Sequence, residues 1–191
     1  MNFKRLEETK KQIESLQNLF ETLQKNDWVN LPNNCKFKDL LFYDIVDYIM
    51  YIIAADSKVN VREVEIYKYL TGFGGDDIDS IKEYIESNDI MSYDFQSNAP
   101  KSLQLLVSAT NMYIRNVEDG KETAALTLEH YLLVFIMVGK EMMQSDQSVT
   151  YAEKRDYETY LNTMKEYIEE FSYVNLKGSF AELMASITDI L

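Results

Sequence analysis

The strongest constraint on this chain is a short pattern that occurs twice. Asp56-Ser57-Lys58-Val59-Asn60-Val61-Arg62-Glu63 returns as Asp146-Gln147-Ser148-Val149-Thr150-Tyr151-Ala152-Glu153, so both copies read D-x-x-V-x-x-x-E. A Tyr stands four residues beyond each Glu, at Tyr67 and Tyr157. Each copy follows an apolar run of helical spacing, Phe42 to Ala55 in the first and Tyr131 to Met143 in the second. One helix–turn–helix unit used twice, in two pseudo-symmetric copies, accounts for this pattern.

Most of the repeat has a local explanation. Asn60 and Thr150 suit the N-cap position, where a side-chain oxygen accepts a free N–H of the next helix. Glu63 and Glu153, three residues on, close capping boxes, and Val59 and Val149 can staple onto Val64 and the aliphatic stem of Lys154. Asp56 and Asp146 remain. Each ends an apolar helix, where the macrodipole disfavours a negative charge. A turn N–H, a lysine such as Lys58, or a cation would answer that charge. In the cation reading, Asp56, Glu63, Asp146 and Glu153 are hard oxygen ligands suited to Ca²⁺ or Mg²⁺, with no His or Cys beside them to recruit zinc. The stretch is not an EF-hand loop: Val61 stands where that loop needs Gly, and Tyr67 where it needs Glu. A cation site would therefore need carboxylates converging from different elements.

The run Ile53-Ala54-Ala55-Asp56-Ser57-Lys58-Val59, followed by Glu63, resembles the A-A-D-G-K-[IV]…E signature of the TerB-like (tellurite-resistance) family. Ser57 stands where the family usually has Gly, and the second copy keeps only Asp146, Val149 and Glu153. The resemblance covers residues 38–171. It implies a compact all-helical domain of two similar halves, with acidic turn residues that bind metal. It also implies a stress-response or interaction role without one agreed activity.

Composition agrees with a helical fold. The chain has 191 residues, 46% of them hydrophobic, with only 2 Pro and 6 Gly. That excludes a disordered chain and favours long helices over a turn-rich sheet. The expectation is an all-α, compact multi-helix domain of about seven to nine helices. Residues 1–30 are read as an N-terminal amphipathic helix and residues 31–191 as the TerB-like body. Leu6, Ile13, Leu16, Phe20 and Leu23 mark one apolar stripe on the first helix. That stripe either packs on its own domain or serves as a short coiled-coil arm, for instance in a homodimer.

Further along, Trp28 and Leu31 anchor a linker. Helices are expected over about 38–55, 61–70, 77–87, 98–116, 121–144 and 151–171. Residues 88–98 read as a loop plugged by Tyr93 and Phe95, with Asn98 capping the next helix. Ser179 caps a last amphipathic helix. Asp44, Asp47 and Tyr51 fall close together on one side of the second helix, where they form either a polar site or, the favoured reading, solvated surface.

The net charge is −13. Residues 76–95 carry seven acidic groups against Lys82 alone, and residues 141–170 carry eight against three basic ones. Such a surface repels phosphate backbones, which argues against direct nucleic-acid binding and for a protein partner with a basic surface. No uncharged run is long enough to span a bilayer, and the charged N-terminus lacks a signal-peptide core, so a cytoplasmic protein is expected. Cys35, the only cysteine, agrees with that compartment. The functional expectation is a non-enzymatic TerB-like interaction or stress-response module. The alternatives are an acidic partner-blocking protein of phage or immunity type and, further off, a metal-dependent hydrolase. The single His130 argues against histidine-based catalysis.

Overall fold

A computed structural model of the chain describes residues 3–32, 34–56, 58–75, 77–145 and 149–176. These form eight helices and no strand among the described residues: α1 (Phe3–Lys25), α2 (Phe37–Ala54), α3 (Val61–Thr71), α4 (Ile78–Ser87), α5 (Tyr93–Ser97), α6 (Lys101–Asn116), α7 (Gly120–Met143) and α8 (Tyr151–Phe171). The helix expected after Ser179 lies outside the described residues.

α2 and α7 are the central pair. Residues Tyr48 to Ile53 of α2 are all buried in succession, and α7 buries side chains on every side. Helices that are apolar all round belong where neighbours surround them. Here α1, α3, α6 and α8 pack around both, and α4 adds to α2. Gly120–Met143 is long and apolar enough, by length and composition, to cross a membrane. Its apolarity is that of a central helix.

The repeat is visible in the packing. α1 lies on α2 and α7, as α6 lies on α7 and α2; α3 touches α7 of the other unit, as α8 touches α2. The pseudo-symmetry expected of α2–α3 and α7–α8 thus extends to the helix preceding each unit. The stripe Leu6, Ile13, Leu16 and Phe20 of α1 is buried in this body. Arg5 forms a two-pronged ion pair with Glu141 of α7, its Nη2 donating to Oε2 at 3.1 Å. Trp28 meets Tyr113 edge to face, with centroids 5.2 Å apart.

α2 and α6 both start without a side-chain cap of their own. Neither Lys36 before α2 nor Pro100 before α6 supplies a side-chain hydrogen bond. The free N–H groups are met from elsewhere. Phe37 N–H donates to Gln24 Oε1 of α1 at 2.8 Å, and Ser102 N–H donates to Asp44 Oδ2 of α2 at 2.7 Å.

Two expectations need correction around α5. Residues 88–98 are not all loop: Ser92 accepts the Phe95 N–H at 3.2 Å and starts the short helix Tyr93–Ser97. Asn98 does not cap α6. Its amide donates to Asp94 O at 2.8 Å and closes α5 instead. At the end of α3, Gly72 takes φ 80°, a left-handed cap open to glycine at little cost.

Candidate functional site

The repeat turns can be followed atom by atom. Asn60 Oδ1 accepts the Glu63 N–H at 3.0 Å while Glu63 Oε2 accepts the Asn60 N–H at 2.8 Å. In the second copy Thr150 Oγ1 accepts the Glu153 N–H at 3.2 Å, and Glu153 Oε2 accepts the Thr150 N–H at 2.6 Å. Both expected capping boxes are present, and both glutamates are buried. Asp56 Oδ1 accepts the Lys58 N–H at 2.9 Å, so the partner its charge asked for is a turn N–H. Asp146 lies outside the described residues. Arg62 Nη1 donates to Ser145 O at 3.4 Å and brings the start of α3 to the end of α7.

Among the described residues, no three His, Cys, Asp or Glu side chains are grouped as a metal ion would need. Glu63 and Glu153 each hold the backbone N–H of their own cap, which ties these carboxylates to their turns. No protein-family model, curated protein or solved structure matches the chain.

A different group of polar side chains gathers on the outer side of α2. Asp44 and Asp47 line a cleft of about 490 Å³ between α2, α5, α6 and α8, whose other walls include Tyr43, Phe95, Lys101 and Tyr160. The expectation that Asp44, Asp47 and Tyr51 form a solvated face is corrected here. α4, α5 and α6 cover that side of α2. Tyr51 is fully in the core, with its ring 5.5 Å from Phe95 and 5.7 Å from Tyr160.

Each carboxylate has a specific donor. Asp44 caps α6 through Ser102, and Asp47 Oδ1 accepts the Tyr84 hydroxyl of α4 at 2.7 Å. Withdrawal from water pushes the Asp44 carboxyl up to about 6, against the pull of Ser102 and of the Lys101 charge. Asp47 is raised for the same first reason. Behind them, Ser102 Oγ and the Tyr131 hydroxyl are 2.9 Å apart in the core.

Tyr160 closes the floor. It is 3% exposed, and its ring stacks on Tyr48 with centroids 4.8 Å apart. Burial and then the charge of Asp44 push its phenol well above the ordinary range. Among the described residues no hydrogen bond to its hydroxyl is found.

The sequence held two signals for this site: the helical spacing that groups Asp44, Asp47 and Tyr51, and the start of α6. α6 begins at Lys101 behind Pro100, which has no side-chain acceptor, so the helix needed one from elsewhere.

Proposed function

We propose that the chain is a non-enzymatic, TerB-like interaction module that docks a protein with a basic surface. The observation that carries this reading is the set of exposed acidic side chains on the helices that border the cleft. Asp79, Glu83 and Glu86 of α4, Asp94 of α5, and Glu158, Glu166, Glu169 and Glu170 of α8 are all exposed. Each of these helices reaches the cleft: α4 by the Tyr84 bond to Asp47, α5 by Phe95 and α8 by Tyr160. Concentrated like charge of this kind raises the encounter rate with an oppositely charged partner and repels nucleic acid.

The non-enzymatic part of the reading is supported by what the motif carboxylates do. Glu63, Glu153 and Asp56 serve backbone N–H groups of their own turns. The TerB-like part rests on residues 53–59 and Glu63, together with the paired packing of the two halves. Nothing in the proposal requires a cation at Asp56.

The test compares location at equal charge. Binding of an octa-arginine peptide is measured by titration calorimetry for the wild type, for Glu83→Lys/Glu86→Lys on α4, and for Glu8→Lys/Glu14→Lys on α1. The α4 pair should lose most of the affinity and the α1 pair little, with all affinities falling as salt is added. Equal losses at the two sites would overturn the reading.

A further inference from the structure

We infer that the cleft between α2, α5, α6 and α8 is a receptor for one guanidinium group, presented by an arginine of the basic partner. This rests on the proposed function and names the anchor point within it.

Several independent features converge on that chemistry. The cleft, at about 490 Å³, has room for a side chain entering from solvent. Two carboxylates one helical turn apart on α2, Asp44 and Asp47, stand on one wall. Asp47 spends only Oδ1 on Tyr84, and no hydrogen bond to Oδ2 occurs among the described residues. The Tyr160 hydroxyl, on a side chain almost wholly out of solvent, is an unused polar group among the same carboxylates. That oxygen is not among the wholly buried polar atoms, so a donor entering the cleft can reach it.

The shape and polarity of the walls select among cations. Tyr43 and Phe95 face the same space as the carboxylates and present aromatic surface. A guanidinium is flat, weakly hydrated and carries several N–H donors in one plane, so it can stack on an aromatic ring while donating to a carboxylate. An ammonium stays better hydrated and offers no plane to stack. A metal ion would want its oxygens closer and more numerous. Asp44 already accepts from Ser102, and Asp47 from Tyr84, so both carboxylates are held in place before any ligand arrives. Lys101 at the rim balances part of their charge in the free protein. Its side chain is exposed and can turn to solvent when a second cation enters.

The experiment uses the full chain labelled with ¹⁵N. Its reporter is the Ser102 amide, which is hydrogen-bonded to Asp44. The probe is acetyl-arginine-amide, titrated to about 50 mM, in the range where a single anchoring group binds. The matched control is acetyl-lysine-amide. We expect a saturable shift of the Ser102 amide with the arginine probe and a several-fold weaker response to the lysine probe. Asp47→Asn should weaken binding about tenfold, as loss of one charge-assisted hydrogen bond does. Tyr160→Phe removes only the hydroxyl and should weaken it by a smaller factor.

No saturable shift at Ser102, or the same affinity in Asp47→Asn, would overturn the inference. Octa-arginine separates the two levels. If it binds the wild type and Asp47→Asn equally, the proposed function stands and the guanidinium pocket falls. If the single arginine probe saturates the cleft while octa-arginine does not bind, the occupant is a free small molecule and the partner-protein assignment falls. Binding of both probes, each weakened by Asp47→Asn, supports the inference as stated.

Discussion

The carboxylate of Asp44, in the middle of α2, accepts the backbone N–H of Ser102 at the start of α6, 2.7 Å away. A residue far off in the chain thus does the work normally done by the N-cap. It also places a charge where water is scarce, with two opposed consequences. The hydrogen bond stabilises α6, and the burial disfavours ionisation.

That opposition is measurable through pH. The folded-state pKa of Asp44, about 6, lies above its ordinary value of 3.8. Folding therefore favours the protonated form. This contribution to stability is full below the ordinary value and is lost as pH rises through the folded value. In urea melts between pH 4 and pH 7, the wild type should lose stability relative to Asp44→Asn, which keeps an acceptor but cannot ionise. Asp44→Ala also loses the acceptor, at about 0.5–2 kcal/mol. Parallel pH profiles for the wild type and Asp44→Asn would show that Asp44 titrates at its ordinary value.

Gly139 of α7 is required by its neighbours. A methyl group there would lie 2.5 Å from the ring of Tyr157 and against the hydroxyl of Tyr48. Both tyrosines are buried in the core, so neither can swing away. Gly139→Ala should destabilise the protein by about 1–3 kcal/mol in urea melts, the usual range for overpacking. Tyr48→Phe frees space at that point and removes a buried hydroxyl without a hydrogen bond. It should be neutral or mildly stabilising alone and should restore part of the loss in the double variant. A Gly139→Ala variant as stable as the wild type would mean that the three helices slide apart easily.

The pair Arg5–Glu141 fastens α1 to the centre. Glu141 is 4% exposed and Arg5 about a third. Solvent on the Arg5 side lowers the cost of breaking the pair below that of a fully buried one. Arg5→Met should still cost about 1–3 kcal/mol, since it leaves a buried carboxylate behind. Arg5→Met with Glu141→Leu should recover most of the loss, because an apolar pair needs no desolvation of charge. Chemical denaturation of the four proteins in a double-mutant cycle gives the coupling.

At the first repeat turn, Asn can replace Asp56 and still accept the Lys58 N–H through its side-chain oxygen. Asp56→Asn should therefore leave the melting temperature of EDTA-treated protein nearly unchanged. Addition of millimolar Ca²⁺ or Mg²⁺ should then act alike on both proteins. A rise selective for one cation in the wild type and absent in Asp56→Asn would assign a metal to the turn after all, through preferential binding to the folded state.

Features that depend on neighbours in sequence were legible. The stripe of α1, the bounds of α3 and α8, and both capping boxes follow from residues within a few positions of one another. Features that depend on a distant partner were not. Asn98 looked like the cap of α6 because it is the last polar residue before Pro100, yet it closes α5, and the cap comes from Asp44. A polar site at Asp44 and Asp47 was one reading of the spacing, but the cover over it was hidden for a related reason. Helical periodicity shows Asp44 and Asp47 opposite the apolar face of α2, and a helix with one covered face would leave them in water. α2 is covered on both sides, which periodicity within one helix cannot reveal.

The seat of α1 against α7 also has a consequence in time. The chain leaves the ribosome with the stripe Leu6, Ile13, Leu16 and Phe20 already made and half of its seat, on α7, still unwritten. α2 can shelter the stripe only in part. Until Met143 has been joined, the nascent protein carries an apolar ridge only partly covered, and pairing so far apart in sequence closes late. α1 is thus made well before α7 and is among the last elements to settle.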